Sequence, residues 1–216
     1  MESNLKQEVL DLYLNHFNSP VSEWDYLEAS AVNADYADKS ISSSRNWRKL
    51  NPNTPTAFTL KMEQTFPHIE PEALFDLTSD YEKRIKWDSK IIDAKILEKN
   101  EDGSIMLHYY SPKPPIPIIS QRELLTKLWR IKDYKDGVYI SVGCSVEHPD
   151  YPIGTGMFAY VRGHATVQGF MIEKNPNGTG SKFTEIRQFD LGGSIPGAVI
   201  NKISGMLPVD VHKHLL

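Results

Sequence analysis

The sequence predicts an α+β protein in which a long antiparallel sheet accompanies one helix at each end of the chain and one in the middle. Apolar residues recur at three- and four-residue spacing in these three stretches. After Asp88 the period changes, and seven short segments rich in β-branched and aromatic residues follow, each bounded by turn signals. Short connections favour antiparallel pairing, because parallel strands need a long crossover.

The first third of the chain is expected to hold one helix and one strand. The N-terminal helix covers about residues 2–17, and Asn18-Ser19-Pro20 ends it. Residues 24–50 are polar and weakly periodic, with an edge strand or a loop at Ser40–Ser44. Apolar and polar residues alternate over Phe58–Phe66, which favours a strand.

A middle helical region is expected from Pro71 to Asp88, with a candidate break near Ser79. Arg84 and Asp88 are four residues apart, so on a helix they can pair on one face. From spacing alone, such a pair is most simply a surface salt bridge that contributes less than about 1 kcal/mol.

The antiparallel part is expected to be a meander of seven strands. The proline-rich stretch 112–117 is read as an extended loop, because proline cannot donate to the hydrogen-bond ladder of a central strand. The predicted strands are Ile92–Glu98, Ser104–Tyr110, Arg122–Lys132, Val138–Val146, Met157–Val161, Ala165–Glu173 and Phe183–Asp190.

A terminal helix is expected over about residues 195–216, after Gly192-Gly193. Val199, Ile200 and Ile203 belong to its apolar stripe. Neither an internal repeat nor a linker is visible, so residues 1–216 are expected to form a single domain.

Composition and charge exclude several classes of function. The 216 residues carry 24 Lys+Arg against 28 Asp+Glu, a net charge of −4, which argues against general binding of nucleic acid. One cysteine, Cys144, excludes an internal disulfide and a CxxC zinc site, and its apolar strand predicts a buried, unreactive thiol. We expect no metal and no cofactor.

The sequence also shows neither the pattern of a signal peptide nor that of a membrane-spanning helix. The N-terminal segment is charged throughout and has no apolar core typical of a signal peptide. No stretch approaches the roughly 18 apolar residues of a membrane span. These features predict a cytoplasmic protein that meets membranes only peripherally and transiently.

Catalytic motifs are nearly absent, which predicts a protein that is not an enzyme. Gly192-Gly193-Ser194-Ile195-Pro196 ends in proline, so it does not match the GxSxG nucleophile elbow. An enzymatic alternative has only Glu123, His108 and Tyr109 to supply acid and base groups. Alternation along a strand places His108 and Tyr109 on opposite faces of the sheet.

The predicted strands are apolar on both faces, and only the terminal helix, with some help from the middle one, is expected to cover them. A curved sheet around one long helix would enclose an apolar cavity with isolated polar groups, which suits a lipid. The alternative is that side chains fill this space completely, and the pattern does not decide between the two.

Several local motifs, in order along the chain, resemble the START (steroidogenic acute regulatory protein-related lipid transfer) domain family. They are Trp87-Asp88, Gln121-Arg122-Glu123, Tyr160-Val161-Arg162-Gly163, Gly169-Phe170-Met171-Ile172-Glu173 and the stretch Gln188-Phe189-Asp190-Leu191-Gly192-Gly193-Ser194-Ile195-Pro196-Gly197-Ala198-Val199-Ile200-Asn201. The resemblance covers essentially the whole chain. It implies a helix-grip fold, in which the sheet wraps around the C-terminal helix and encloses a lipid tunnel. Glu123 and Phe170 stand where the family usually has Asp and Trp, both mild changes.

The resemblance also implies lipid-binding residues. Arg84 and Asp88 match the pair that meets the phosphate in a phosphatidylcholine-carrying member, and Gln168 matches a polar tunnel residue of that member. Leu128 stands where sterol-binding members carry a buried arginine, which disfavours a sterol.

The choline cage of that member is not retained. Tyr109 keeps an aromatic ring, but Leu124 and Thr166 do not, and Thr78 replaces a tyrosine near the phosphate. The residues expected to contact lipid are Arg84, Asp88, Tyr109, Gln168, Thr78, Leu124, Thr166, Val199, Ile200 and Ile203.

The expected function is therefore non-catalytic, intracellular binding of one glycerophospholipid of open headgroup and its transfer between membranes. The alternatives are a lipid-responsive interaction or sensor module, and a carrier of sterol or another lipid. The expected partners are the lipid and, transiently, a membrane surface touched by the C-terminal helix, with no nucleic acid. The protein is expected to be a monomer.

Overall fold

The computed structural model describes residues 2–27, 44–88, 91–101, 103–110, 119–154 and 160–206. The helices are α1 (Glu2–Asn18), α2 (Pro71–Ser79), α3 (Tyr81–Trp87) and α4 (Gly197–Met206), with a 3-10 turn at Val21–Glu23. The strands are β1 (Asp25–Leu27), β2 (Arg45–Leu50), β3 (Ala57–Phe66), β4 (Ile92–Lys99), β5 (Ile105–Tyr110), β6 (Arg122–Lys135), β7 (Val138–Ser145), β8 (Val161–Arg162), β9 (His164–Lys174) and β10 (Ser181–Asp190).

The described strands form one sheet in the order β1-β2-β3-β10-β9-β7-β6-β5-β4. From β4 to β10, the path follows the predicted antiparallel meander, with one difference. The meander strand predicted at Met157–Val161 lies largely outside the described residues, and the short β8 at its end pairs in parallel with the start of β6. The meander is then extended by β3, which pairs with β10 over the full length of both strands.

The sheet is strongly curved. The evidence is that residues from both of its edges contact one apolar cluster. Leu27 of the edge strand β1 and Ile96 of the opposite edge strand β4 both pack against this cluster. In a flat sheet with strands about 4.8 Å apart, the two edges would be roughly 38 Å apart. The face that curves inward is called the inner face here, and its cluster includes Ile200 of α4. Its buried members are Leu27, Phe58, Leu60, Ile91, Leu107, Tyr109, Ile119, Leu124, Leu128, Ala165, Phe189, Ile195 and Ile200.

The opposite, outer face is covered by α1. Val9, Leu10 and Tyr13 pack against buried residues of the central strands, among them Trp129 and Val142. The Tyr13 hydroxyl donates to the Thr184 carbonyl at 2.7 Å. The expectation that only the terminal and middle helices cover the sheet was therefore wrong: α1 is a second cover, and it accounts for apolar residues on both faces.

Local structure agrees with the sequence in the middle region and differs before it. The break near Ser79 is confirmed, since α2 ends at Ser79 and α3 begins at Tyr81 with the Asp80 side chain accepting from the Lys83 amide. Within residues 24–50 the structure forms β1 and β2, and the predicted edge strand at Ser40–Ser44 lies largely outside the described residues. β2 pairs with β3 although its own sequence, RNWRKL, lacks a clear alternation.

Cys144 is buried on the outer face. Burial raises the pKa of its thiol to about 11, which keeps it protonated, as the sequence predicts for an unreactive cysteine. No helix in the described part of the chain is long and apolar enough to cross a membrane.

Candidate functional site

A cluster of four charged residues lies on the inner face, between α3 and the sheet. It comprises Arg84 and Asp88 from α3 and its C-terminus, and Glu185 and Arg187 from β10. Glu185 and Arg187 face inward because they pair directly with Met62 and Leu60, whose side chains belong to the inner-face core. We call these four residues the charge cluster.

The Arg84–Asp88 pair is buried. Arg84 Nε donates to Asp88 Oδ2 at 2.9 Å, and the two side chains are 5% and 1% exposed. The surface salt bridge that spacing alone suggested was therefore wrong for this pair. Burial by itself lowers the pKa of the guanidinium, but Asp88, the Tyr81 ring and Glu185 outweigh it and raise the pKa above its usual value. Arg84 is thus a permanent buried cation.

Glu185 joins the pair to a second arginine. Its Oε1 accepts from Arg187 Nη2 at 2.5 Å and lies 3.8 Å from Arg84 Nη2. Arg84 Nη1 has a long contact to the Thr78 carbonyl at 3.5 Å. Among the described residues, both terminal nitrogens of Arg84 therefore have only long contacts, whereas its Nε holds Asp88 tightly.

Aromatic rings surround the Arg84 guanidinium. Tyr81, Trp87 and Phe170 have their ring centroids 5.5, 5.7 and 5.8 Å from its central carbon. These distances are in the range of cation–π attraction, which is strongest where water is excluded. The three rings give the guanidinium favourable electrostatic contacts but no further hydrogen bonds, and one of them, Phe170, is the direct neighbour of Glu185 in the sheet.

Two tyrosines extend the polar region. The Tyr109 hydroxyl donates to Gln168 Oε1 at 3.3 Å, and Tyr81 packs against the inner cluster with its ring beside Arg84. Burial raises the pKa of both phenols, partly offset by the positive charges of Arg84 and Arg187. Both hydroxyls therefore stay neutral and remain hydrogen-bond donors.

Three of the residues that were predicted to contact lipid do not bring a polar side chain to the charge cluster. Thr78 is buried, but its hydroxyl donates back to the Leu74 carbonyl at 2.8 Å. Leu124 lies directly opposite Tyr109 in the sheet and belongs to the inner apolar cluster. Thr166 is exposed and is the extra residue of a β-bulge, since its neighbours Ala165 and Val167 pair with consecutive residues of β10.

The terminal helix contributes apolar contacts. Ile200 is buried in the inner cluster and Val199 packs against it. Ile203 lies within α4, but its side chain is outside the described residues, as are residues 207–216 of the predicted helix. Arg122 fixes the segment before α4 by donating to the carbonyls of Leu191 and Gly192 at 3.1 and 3.2 Å.

The residues considered for an enzymatic alternative do not converge. Tyr109 faces the inner cluster, whereas His108 pairs with Glu123 at 2.9 Å on the other face, as alternation predicted. Glu123 also binds Arg162 at 3.0 Å. In the described part of the chain, no group of three potential metal ligands comes together.

Sequence reasoning missed Glu185 and Arg187, which bring half of the charge to the cluster. One signal was available: the two residues alternate with Phe183 and Phe189, so a face with two phenylalanines also carries two opposite charges. This pattern predicts a strand face whose two ends are buried and apolar and whose middle carries polar groups.

A sequence model described as "START domain" matches residues 34–216. The chain belongs to the START domain family. This START domain is 31% identical over 158 residues to START domain-containing protein 10 of Homo sapiens, covering 70% of this chain and 50% of that protein. It is 25% identical over 177 residues to the mitochondrial steroidogenic acute regulatory protein of Danio rerio, covering 82% of this chain and 60% of that protein. The chain therefore spans about half to three fifths of the length of these relatives.

Solved structures agree on the fold. The START domain described here superposes on human StAR-related lipid transfer protein 5 with a TM-score of 0.74 at 19% identity, covering 92% of this chain and 86% of that one. The crystal structure of human STARD10 gives a TM-score of 0.69 at 23% identity, covering 92% and 73%. The predicted α+β fold with a curved antiparallel sheet is confirmed.

Proposed function

We propose that this START domain binds one glycerophospholipid on its inner face and carries it between membranes without making or breaking a covalent bond. The observation that carries the proposal is the buried Arg84, held by Asp88 through Nε while its two terminal nitrogens make only long contacts with the part of the chain that the structure describes. A guanidinium whose terminal donors are only weakly engaged, in a region of low dielectric, is suited to a phosphodiester, which it can bind through two parallel hydrogen bonds.

The apolar inner cluster supports the same proposal. Residues from both edges of the sheet and from α4 offer a continuous apolar lining next to the charge cluster. Burying a methylene group stabilises binding by about 0.8 kcal/mol, so acyl chains supply strong retention while Arg84 orients the headgroup.

Support for a carrier comes from the relatives' names and from the separation of Tyr109 from His108 and Glu123, which lie on opposite faces of the sheet. Human StAR-related lipid transfer protein 5 shares the fold, and lipid transfer is its named activity. A phospholipid is favoured over a sterol because the inner face carries four charges, and because Leu128, where sterol binding would call for arginine, is buried and apolar.

We further propose that the C-terminal helix touches the membrane during exchange. α4 is joined to the sheet through Gly192 and Gly193, both with positive φ, and we propose this connection as the hinge, which opens when Arg122 releases the carbonyls of Leu191 and Gly192. The protein is proposed to act as a monomer.

The direct test combines native mass spectrometry with a liposome transfer assay. We expect a complex of one chain with one phospholipid, and a transfer rate from labelled donor to unlabelled acceptor vesicles that rises linearly with protein concentration. A bound lipid without transfer would favour the sensor alternative, and a bound sterol the alternative cargo. Absence of binding and transfer for phospholipids, sterols and ceramides alike would overturn lipid carriage.

A further inference from the structure

The charge cluster is electrically balanced. Two guanidinium groups, of Arg84 and Arg187, face two carboxylates, of Asp88 and Glu185, and the four side chains are between 1% and 16% exposed. Each of the pKa values of Tyr81 and Tyr109 responds to three of these four charges, and both phenols remain neutral. An uncompensated charge is costly in such surroundings. A ligand headgroup that is itself neutral overall therefore fits better than one that adds net charge.

Glu185 is the acidic group placed to meet a cation. It lies between the two arginines, and both of its described ion pairs involve Oε1. Within the described residues Oε2 accepts no hydrogen bond, so it is the oxygen that a ligand donor would meet without displacing Arg187. A primary ammonium has three N–H donors and forms short, charge-assisted bonds to a carboxylate.

A quaternary ammonium has no such donor and instead needs several aromatic faces. Three of the rings beside the cluster are Tyr81, Trp87 and Phe170, and the Arg84 guanidinium already lies within 5.8 Å of the centroid of each. Methyl groups on the ligand nitrogen would also keep it away from Glu185. Both effects act against a choline headgroup.

We propose that the charge cluster selects a zwitterionic glycerophospholipid whose headgroup carries a primary ammonium, with Arg84 and Arg187 meeting the phosphodiester and Glu185 meeting the ammonium. This inference rests on the proposed function and specifies its cargo. It makes Glu185 and Arg187 specificity-determining residues.

The test uses the unmodified protein and a series of lipids with identical acyl chains. The series comprises phosphatidylethanolamine, its N-methyl and N,N-dimethyl derivatives, and phosphatidylcholine, with phosphatidylserine and phosphatidic acid as anionic members. We expect transfer to fall at each methylation and by at least tenfold from the first to the fourth lipid. Both anionic lipids should move more slowly than phosphatidylethanolamine, because each adds net negative charge to a balanced cluster.

Variants then locate the discrimination. Glu185→Gln should reduce the ethanolamine-to-choline ratio at least fivefold, and the ratio within one variant is insensitive to a general loss of stability. Glu63→Gln is the matched control, because Glu63 is paired with Arg45 and Lys182 on the outer side of the adjacent strand β3; it should leave the ratio unchanged. If Glu185→Gln does not fold, the lipid series alone decides.

Equal transfer of the ethanolamine and choline lipids, or faster transfer of an anionic lipid, would overturn this inference and leave phospholipid carriage intact. Failure of every phospholipid to move would instead contradict the proposed function. The two failures are thus distinguishable in one assay.

Discussion

Arg84 shows how burial changes the meaning of a single residue. Its spacing to Asp88 is that of many surface pairs, but the structure places both side chains beneath α3 against the sheet. A surface pair contributes little to stability, whereas removing one partner of a buried pair typically costs about 3–5 kcal/mol because the other charge is left uncompensated.

At the residue scale, Arg84→Leu is expected to abolish phospholipid binding and to lower the free energy of unfolding by about 3–5 kcal/mol. Arg84→Lys should restore part of both, because an ammonium keeps the charge but cannot form the two parallel bonds of a guanidinium. Binding is measured by native mass spectrometry and stability by urea denaturation.

Arg45→Leu is the control for this prediction. Arg45 also pairs with a carboxylate, Glu63, at 2.7 Å, but its side chain is 57% exposed. This change should cost less than about 1 kcal/mol and leave binding intact. Unchanged lipid binding in folded Arg84→Leu would show that Arg84 does not contact the lipid.

At the scale of elements, the connection between β10 and α4 depends on two glycines that differ in their surroundings. Both have positive φ, 62° at Gly192 and 68° at Gly193. A Cβ on Gly192 would lie 2.9 Å from the Arg162 carbonyl, whereas one on Gly193 would meet nothing closer than 3.7 Å. The sequence shows two adjacent glycines, but only the packing distinguishes their surroundings.

We therefore expect Gly192→Ala to destabilise the protein more than Gly193→Ala. The left-handed conformation costs each alanine about 1–2 kcal/mol, and only Gly192→Ala must also displace the backbone of the β8 segment. Chemical denaturation of the two variants side by side measures the difference. Equal losses, or a larger loss for Gly193→Ala, would contradict this account of the hinge.

At the scale of the whole molecule, the two faces of the sheet pack against different partners. The outer face packs against α1 and contributes stability, while the inner face combines apolar lining with the charge cluster. Neighbouring residues on one strand can therefore both be buried and yet face opposite sides of the sheet. Leu124 and Leu125 of β6 are such a pair, with 7% and 0% exposure and opposite orientation.

Both Leu124→Ala and Leu125→Ala are expected to lower the free energy of unfolding by about 2–5 kcal/mol through the cavity each creates. Only Leu124→Ala should also change how long lipid is retained, since Leu124 lies in the inner cluster beside Tyr109. Lipid off-rates, compared at a temperature where both variants are folded, measure this. Equal effects on retention would show that the faces are not functionally separate.

The sequence by itself determined the type of most elements, the break at Ser79, the opposite orientation of His108 and Tyr109, and the family. These features depend on local periodicity, turn residues and short motifs. Such signals can be read from residues that are close together in the sequence. The tertiary structure alone decided that α1 covers the outer face, that the Arg84–Asp88 pair is buried, and that Glu185 and Arg187 meet it. The physical reason is that contacts between residues far apart in sequence depend on strand register and on the curvature of the sheet, and no local pattern specifies either.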